Sequence, residues 1–159
     1  MRGKSVRSVR PRGTPIGLQL ARTSKTVGRA FSAALAEVGG SVPVWLVLAN
    51  LQSGRWRTQQ ELARALDIEG PTLTRHLDGM EQAGLVERRR GPSDRRAVQV
   101  ELTDAGRELH ARLLQAVIAF NRRLGAGLEE EELAQLGRLL ARLEENLRAA
   151  PLALAGEPE

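Results

Sequence analysis

Apolar residues recur along this chain at two different periods, and the switch between them marks out its parts. Between Ile16 and Val38, the apolar positions Leu20, Val27, Phe31, Ala34, Leu35 and Val38 follow a helical spacing, with Arg22, Lys25 and Arg29 elsewhere on the cylinder. Gly39-Gly40 breaks that helix, and Ser41 stands where an N-cap belongs for Val42 to Leu51. That second helix is apolar nearly all round and is predicted to be buried. A turn at Gln52 to Gly54 and a short extended piece near Trp56 lead into the next stretch.

From Thr58 to Thr103 the pattern predicts two short helices, a strand, a basic turn and a second strand. Thr58 and Glu61 have the spacing of a capping box, in which each side chain accepts from the other residue's backbone N–H. Leu62, Ala65 and Leu66 are expected on one face of the helix that follows, and Asp67 to Glu69 make the turn. Gly70-Pro71 opens a second helix with Pro at its first position, where a missing N–H costs nothing. Leu73, Leu77 and Met80 go inward with Ile68, which turns Thr72, Thr74, Arg75 and His76 outward, and Gly84 closes the helix as a left-handed cap. Leu85 to Arg90 then reads as a strand, and Val98, Val100 and Leu102 alternate at period two as a half-buried strand must. Gly91-Pro92-Ser93-Asp94 between them is turn chemistry, so the strands form a hairpin with Arg95 and Arg96 at its tip. This is the outline of a winged helix-turn-helix within a mainly α (α+β) fold.

Thr103 is placed to cap a long helix, along which Leu109, Leu113, Ala116, Val117, Phe120 and Leu124 repeat at fours and threes until Gly125 to Gly127 interrupts them. The last helix opens on Glu129 to Glu132, where the helix dipole favours carboxylates, and runs through Leu133, Leu136, Leu139, Leu140, Leu143 and Leu147 to Pro151. These terminal helices are too apolar to face solvent alone, and pairing the first and the last two with their copies would bury the stripes in a homodimer. The expected organisation is a disordered basic arm (1–15), N-terminal helices for dimerisation and support (16–54), a winged helix-turn-helix (55–102), C-terminal dimerisation helices (103–150) and a tail (151–159).

Composition narrows the chemistry. With 159 residues, 42% of them hydrophobic, the chain suffices for one domain with a core, and aromatics at 3% leave the packing to Leu, Ala and Val. The absence of Cys excludes disulfides, thiolate metal sites and thiol redox sensing. The longest apolar run, Val42 to Leu51, is too short to span a bilayer, and the N-terminal stretch lacks the apolar core of a signal peptide; the expected location is the cytoplasm.

The net charge of +5 is unevenly distributed: residues 1–54 carry eight basic and one acidic side chain, residues 55–101 nine and eight, and residues 102–159 seven and ten. Positive charge therefore concentrates in the N-terminal arm and the wing, as expected of a nucleic-acid binder. Five arginines, Arg88, Arg89, Arg90, Arg95 and Arg96, crowd one ribbon, an electrostatic liability unless a polyanion lies against it. The arm itself, with Arg2, Lys4, Arg7, Arg10 and Arg12, reads equally as a phosphate clamp or a solvated tail. No phosphate-binding loop, dinucleotide turn, H-E-x-x-H pair or nucleophile elbow is present, and His76 and His110 lack metal partners by spacing, so neither enzyme nor cofactor nor metal is expected.

The strings LARALDIEGPTLTRHLDGMEQAGLV and SDRRAVQVELTDAGR, followed by the final helix EELAQLGRLLARLEENL, resemble the MarR family of bacterial transcription regulators and, within it, the SlyA-like branch. The resemblance implies a sequence-specific regulator, a repressor with the option of ligand response, that binds a pseudo-palindromic operator in double-stranded DNA as a homodimer. It places Pro71, Thr72, Thr74, Arg75 and His76 where such proteins touch DNA. Arg75 suits a bidentate guanine contact, and Thr72 and Thr74 suit phosphate or thymine methyl contacts. A solvated surface charge is the alternative for Arg75, and a surface histidine without a role for His76. At the wing, the family pattern matches Asp94 holding Arg96 for the minor groove, with Arg95 turned to phosphate; an Asp94 to Arg96 surface pair without a ligand is the plain alternative. Relatives respond to small aromatic anions, and Trp45, with Arg22 on the first helix, matches that region, although a tryptophan in a buried helix is also ordinary core. The competing functional class is a winged helix used as a protein-interaction module, its basic wing meeting an acidic partner.

Overall fold

A computed structural model describes residues 14–56, 58–90 and 98–149; the N-terminal arm up to residue 13, the wing tip that carries Asp94, Arg95 and Arg96, and the tail lie outside the described residues. Among the described residues the chain runs α1 (Ile16–Ala36), α2 (Val42–Gln52), α3 (Gln59–Ala65), α4 (Gly70–Gln82), β1 (Val86–Arg90), β2 (Val98–Leu102), α5 (Asp104–Leu124) and α6 (Glu130–Ala149). It divides into two compact units, one reaching to Ile118 and the other starting at Ala119.

The first unit is organised by local stop and start signals. Gly39 sits at φ +84°, a left-handed conformation that ends the first helical segment at low cost, and the Gly40 N–H donates to the Leu35 carbonyl at 2.9 Å. Ser41 then caps α2, its hydroxyl accepting from the Val44 N–H at 3.5 Å. Only Val47 and Leu48 of α2 are fully buried, while Val44, Trp45 and Leu51 pack against the core with part of their surface still exposed. The expectation of a helix buried all round is corrected to that extent.

In α3 both halves of the capping box form: the Glu61 N–H donates to Thr58 Oγ1 at 3.2 Å, and the Thr58 N–H donates to Glu61 Oε2 at 2.9 Å. Leu62 is buried and Leu66 and Ala63 pack on the core, whereas Ala65 is exposed. Around a helical cylinder Ala63 and Ala65 flank the Leu62–Leu66 direction on opposite sides, and the core lies on the Ala63 side, which corrects the expected face. The next helix begins at Gly70, so Pro71 stands second rather than first; the N–H of that position is also without an intrahelical partner, and the proline is tolerated for the same reason.

Leu73, Leu77 and Met80 of α4 are buried, and Gly84 at φ +69° turns the chain out of the helix into β1. The strands are antiparallel in the register Val86↔Leu102 to Arg90↔Val98, with Val86 and Val100 facing the core. An isolated bridge between Thr58 and Gln99 ties the start of α3 to the same ribbon. Leu35, Val47, Leu48, Leu62, Leu73, Leu77, Met80, Val86, Val100, Leu109 and Leu113 form one cluster of buried side chains, so α1 to α4, the ribbon and the first turns of α5 share a core, and α3 and α4 are the helix pair of the expected reader.

The joint between ribbon and α5 is close. Thr103 Oγ1 accepts from the Gly106 N–H at 3.0 Å as an N-cap and donates to the Gly84 carbonyl at 2.6 Å, while the Thr103 N–H donates to the Leu85 carbonyl at 3.2 Å. Gly106 is buried against that corner, where a Cβ would collide with the Leu85 carbonyl oxygen.

In the second unit, Gly127 at φ +84° marks the turn before α6. Glu132 supplies half of a capping box by accepting from the Glu129 N–H at 2.9 Å. The carboxylate that helps cap this helix therefore comes from its own first turn. Leu133, Leu136, Leu139, Leu140 and Leu147 of α6 are between 41% and 75% exposed.

Candidate DNA-binding surface

Burial of Leu73, Leu77 and Met80 fixes which side of α4 looks outward, and Pro71, Thr72 and Arg75 are exposed on that side of its N-terminal half. His76 is half-buried. Among the described residues Arg75 forms no ion pair, so its guanidinium is available to an incoming acceptor. Thr74 is different: its hydroxyl donates to the Gly70 carbonyl at 2.9 Å and accepts from Gln59 Nε2 at 2.6 Å. It joins the two helices of the reader, and its partner Gln59 carries no signal in the sequence beyond its place in the first turn of α3.

The ribbon divides its arginines by strand parity. Val86 faces inward, so Arg88, two residues on, lies on the side of α4, and Arg89 on the other side. Arg88 Nη2 donates to Asp78 Oδ1 and to Glu81 Oε2, each at 2.6 Å, and Arg88 Nε donates to Glu81 Oε2 at 3.0 Å. The Arg88 backbone N–H adds a bond to Glu81 Oε1 at 3.1 Å. Arg89 pairs with Glu87 at 2.7 Å.

These bonds hold the Glu81 carboxyl below its ordinary range, chiefly through the Arg88 side chain and then its N–H. They raise the Arg88 guanidinium above its own, chiefly through Glu81. Two of the five ribbon arginines are thus neutralised within the protein, a correction to the reading that all five await a polyanion. Arg95, Arg96 and Asp94 lie outside the described residues, as does the Arg90 side chain.

Of the candidate effector residues, Arg22 is exposed on α1 and Trp45 half-buried on α2, and among the described residues no hydrogen bond or ion pair joins them. The sequence reading missed Trp45's aromatic neighbour, His110 of α5, which stacks on it with ring centroids 5.5 Å apart and planes 7° from parallel. Among the described residues no cluster of His, Asp and Glu could hold a metal ion, and no helix is long and apolar enough to cross a membrane.

A helix-turn-helix with its second helix exposed along one side, followed by a two-stranded ribbon on the same core, defines a winged-helix DNA-binding protein. The MarR family model matches residues 41–98. Among solved structures, the transcriptional repressor CouR bound to a 23-mer DNA duplex is 33% identical, with 82% of this chain and 92% of that one covered and a TM-score of 0.76. A mutant MarR from E. coli in complex with operator DNA is 28% identical over 81% of this chain and 93% of that one, with a TM-score of 0.74. A further transcriptional regulator is 36% identical over 86% of this chain and 100% of that one, with a TM-score of 0.71. The chain belongs to the MarR family of DNA-binding transcription regulators, whose members are not enzymes.

Proposed function

We propose that the protein is a repressor of the SlyA-like branch that binds a pseudo-palindromic operator as a homodimer. The observation that carries this reading is the outward face of α4, where Arg75 stands unpaired among the described residues beside exposed Pro71 and Thr72. Two relatives with the same fold are solved on DNA, which supports duplex DNA as the partner of this chain. In the proposal Arg75 takes a guanine edge, Thr72 a phosphate, and Thr74 and His76 lie at the margin. Arg96, held by Asp94, enters the minor groove with Arg95 on phosphate. The helices at the two ends of the chain dimerise and set two readers about one helical turn apart.

Selection of bound sequences from a random duplex pool tests this directly. An enriched site with two inverted half-sites is expected, with affinity that survives competitor DNA and falls steeply with salt. Arg75→Ala is expected to cost about 1–3 kcal/mol and relax preference at one base position per half-site, and Arg96→Ala to cost a similar amount. No enrichment, with salt-dependent capture of an acidic protein instead, would replace the reading with a protein-interaction module.

The proposal includes a small aromatic anion as effector, held near Trp45 with Arg22 supplying charge; the flat faces of the Trp45–His110 stack support an aromatic ligand. In a Trp56→Phe background, salicylate is expected to quench the Trp45 fluorescence and weaken operator binding. Unchanged fluorescence and unchanged affinity would remove this ligand class.

A further inference from the structure

Asp78 and Glu81 occupy the C-terminal half of α4, and Arg88 reaches back to both across the corner made by Gly84. Glu81 accepts from the Arg88 side chain through one oxygen and from the Arg88 backbone through the other, so it grips strand and side chain together. With two carboxylates around one guanidinium, this cluster has no positive charge to offer a phosphate.

We propose that Arg88, Asp78 and Glu81 form a clamp that fixes the angle between recognition helix and wing, making Arg88 a positioning residue that raises DNA affinity without touching DNA. The inference rests on the proposed function, in which α4 and the wing engage one duplex together. Val86 and Val100 seat the base of the ribbon on the core, and whatever swing the wing keeps about that base would have to be ordered at the moment of binding, an entropy subtracted from affinity. The clamp removes the cost in advance. Its side chains are partly solvated, with Arg88 22%, Glu81 39% and Asp78 49% exposed, so the effect belongs to binding more than to stability.

The carboxylates give the test its sign. If Arg88 were a phosphate contact, removing the acids beside it would free its charge and tighten binding, as would the gain in net positive charge. A clamp predicts the reverse. The probes are the duplex recovered from the pool by wild-type protein and a scrambled duplex of equal length. Glu81→Gln and the Asp78→Asn/Glu81→Gln double variant are expected to bind the selected duplex about three- to tenfold more weakly, with little change on the scrambled one.

Arg88→Met is expected to weaken selected binding while leaving the slope of log K against log salt unchanged, because no phosphate contact is lost. Arg88→Lys, which keeps the charge but not the fork, is expected to behave like Arg88→Met. Tighter binding by the carboxylate variants, or a slope for Arg88→Met smaller by about one, would overturn the clamp. A wild type that enriches a site while Glu81→Gln binds it equally well sinks the clamp alone. A wild type that enriches nothing sinks the functional reading and the clamp with it.

Discussion

Thr74 shows how a polar side chain in a recognition helix can work inward. Its hydroxyl already donates to Gly70 and accepts from Gln59, so its oxygen reaches DNA only as a secondary acceptor. Thr74→Val keeps the methyl and deletes the bonds. The expected result is a stability loss of about 1 kcal/mol in urea unfolding without relaxed preference at any base position, whereas Arg75→Ala should do the opposite. Glu81 lends itself to a pH experiment. Its carboxyl is held below the ordinary range by Arg88, so the protonated form is disfavoured in the folded state. The pair's contribution is therefore complete above the usual glutamate range and is lost as pH falls through the lowered value. The melting-temperature difference between wild type and Glu81→Gln should be present at neutral pH, vanish in acid and shrink in high salt, because the pair is exposed. A difference that persists unchanged in acid would mean that the glutamine acts through something other than the ion pair.

Elements are joined here by contacts of very different legibility. The Thr103 cap follows from a threonine standing before a helical period, and the structure adds that the same hydroxyl binds the Gly84 carbonyl, locking α5 to the corner between recognition helix and ribbon. Gly106 completes that joint by letting α5 approach the Leu85 carbonyl, and a methyl group there meets backbone that cannot step aside. Gly106→Ala is therefore expected to destabilise the protein by about 1–3 kcal/mol in chemical unfolding, even though Ala is the better helix former; a neutral or stabilising result would show that the joint is soft. Capping residues, helical and strand periods and glycine turns act within a few residues of sequence, which is why the elements among the described residues could be placed from the chain alone. The Gln59–Thr74 bond, the Thr58–Gln99 bridge and the Trp45–His110 stack link residues on separate elements, and periodicity holds no record of which partners meet. Arg88 lies between these cases: its side of the ribbon follows from the parity of Val86, but the carboxylates it meets depend on the angle at Gly84.

At the scale of the whole molecule the question is what covers α6. Leu133, Leu136, Leu140, Leu143 and Leu147 follow one another at threes and fours, the seam of a helix that packs against another, yet Leu136 is 47% and Leu147 75% exposed in a single chain. Ile16 and Leu18 on α1 and Leu114 and Ile118 on α5 are likewise open to solvent. The core cluster ends at Leu113, with Val117 packed beside it, so these stripes are not needed to hold the reading head together. In the proposed homodimer a second copy of the chain would offer the complementary surface, since a twofold interface presents the same stripe from both sides. Sedimentation should then give twice the 17.3 kDa of one chain. Leu136→Glu combined with Leu140→Glu places like charges in that seam and should yield a monomer whose reader still folds, as judged by cooperative unfolding. Each reader would then bind its half-site alone, without the high effective concentration that tethering gives the second contact, and affinity for the full site should fall by two orders of magnitude or so. A double variant that remains dimeric would show that α6 is covered by something other than its copy. One that becomes monomeric and still binds the full site as tightly would show that a single reader suffices.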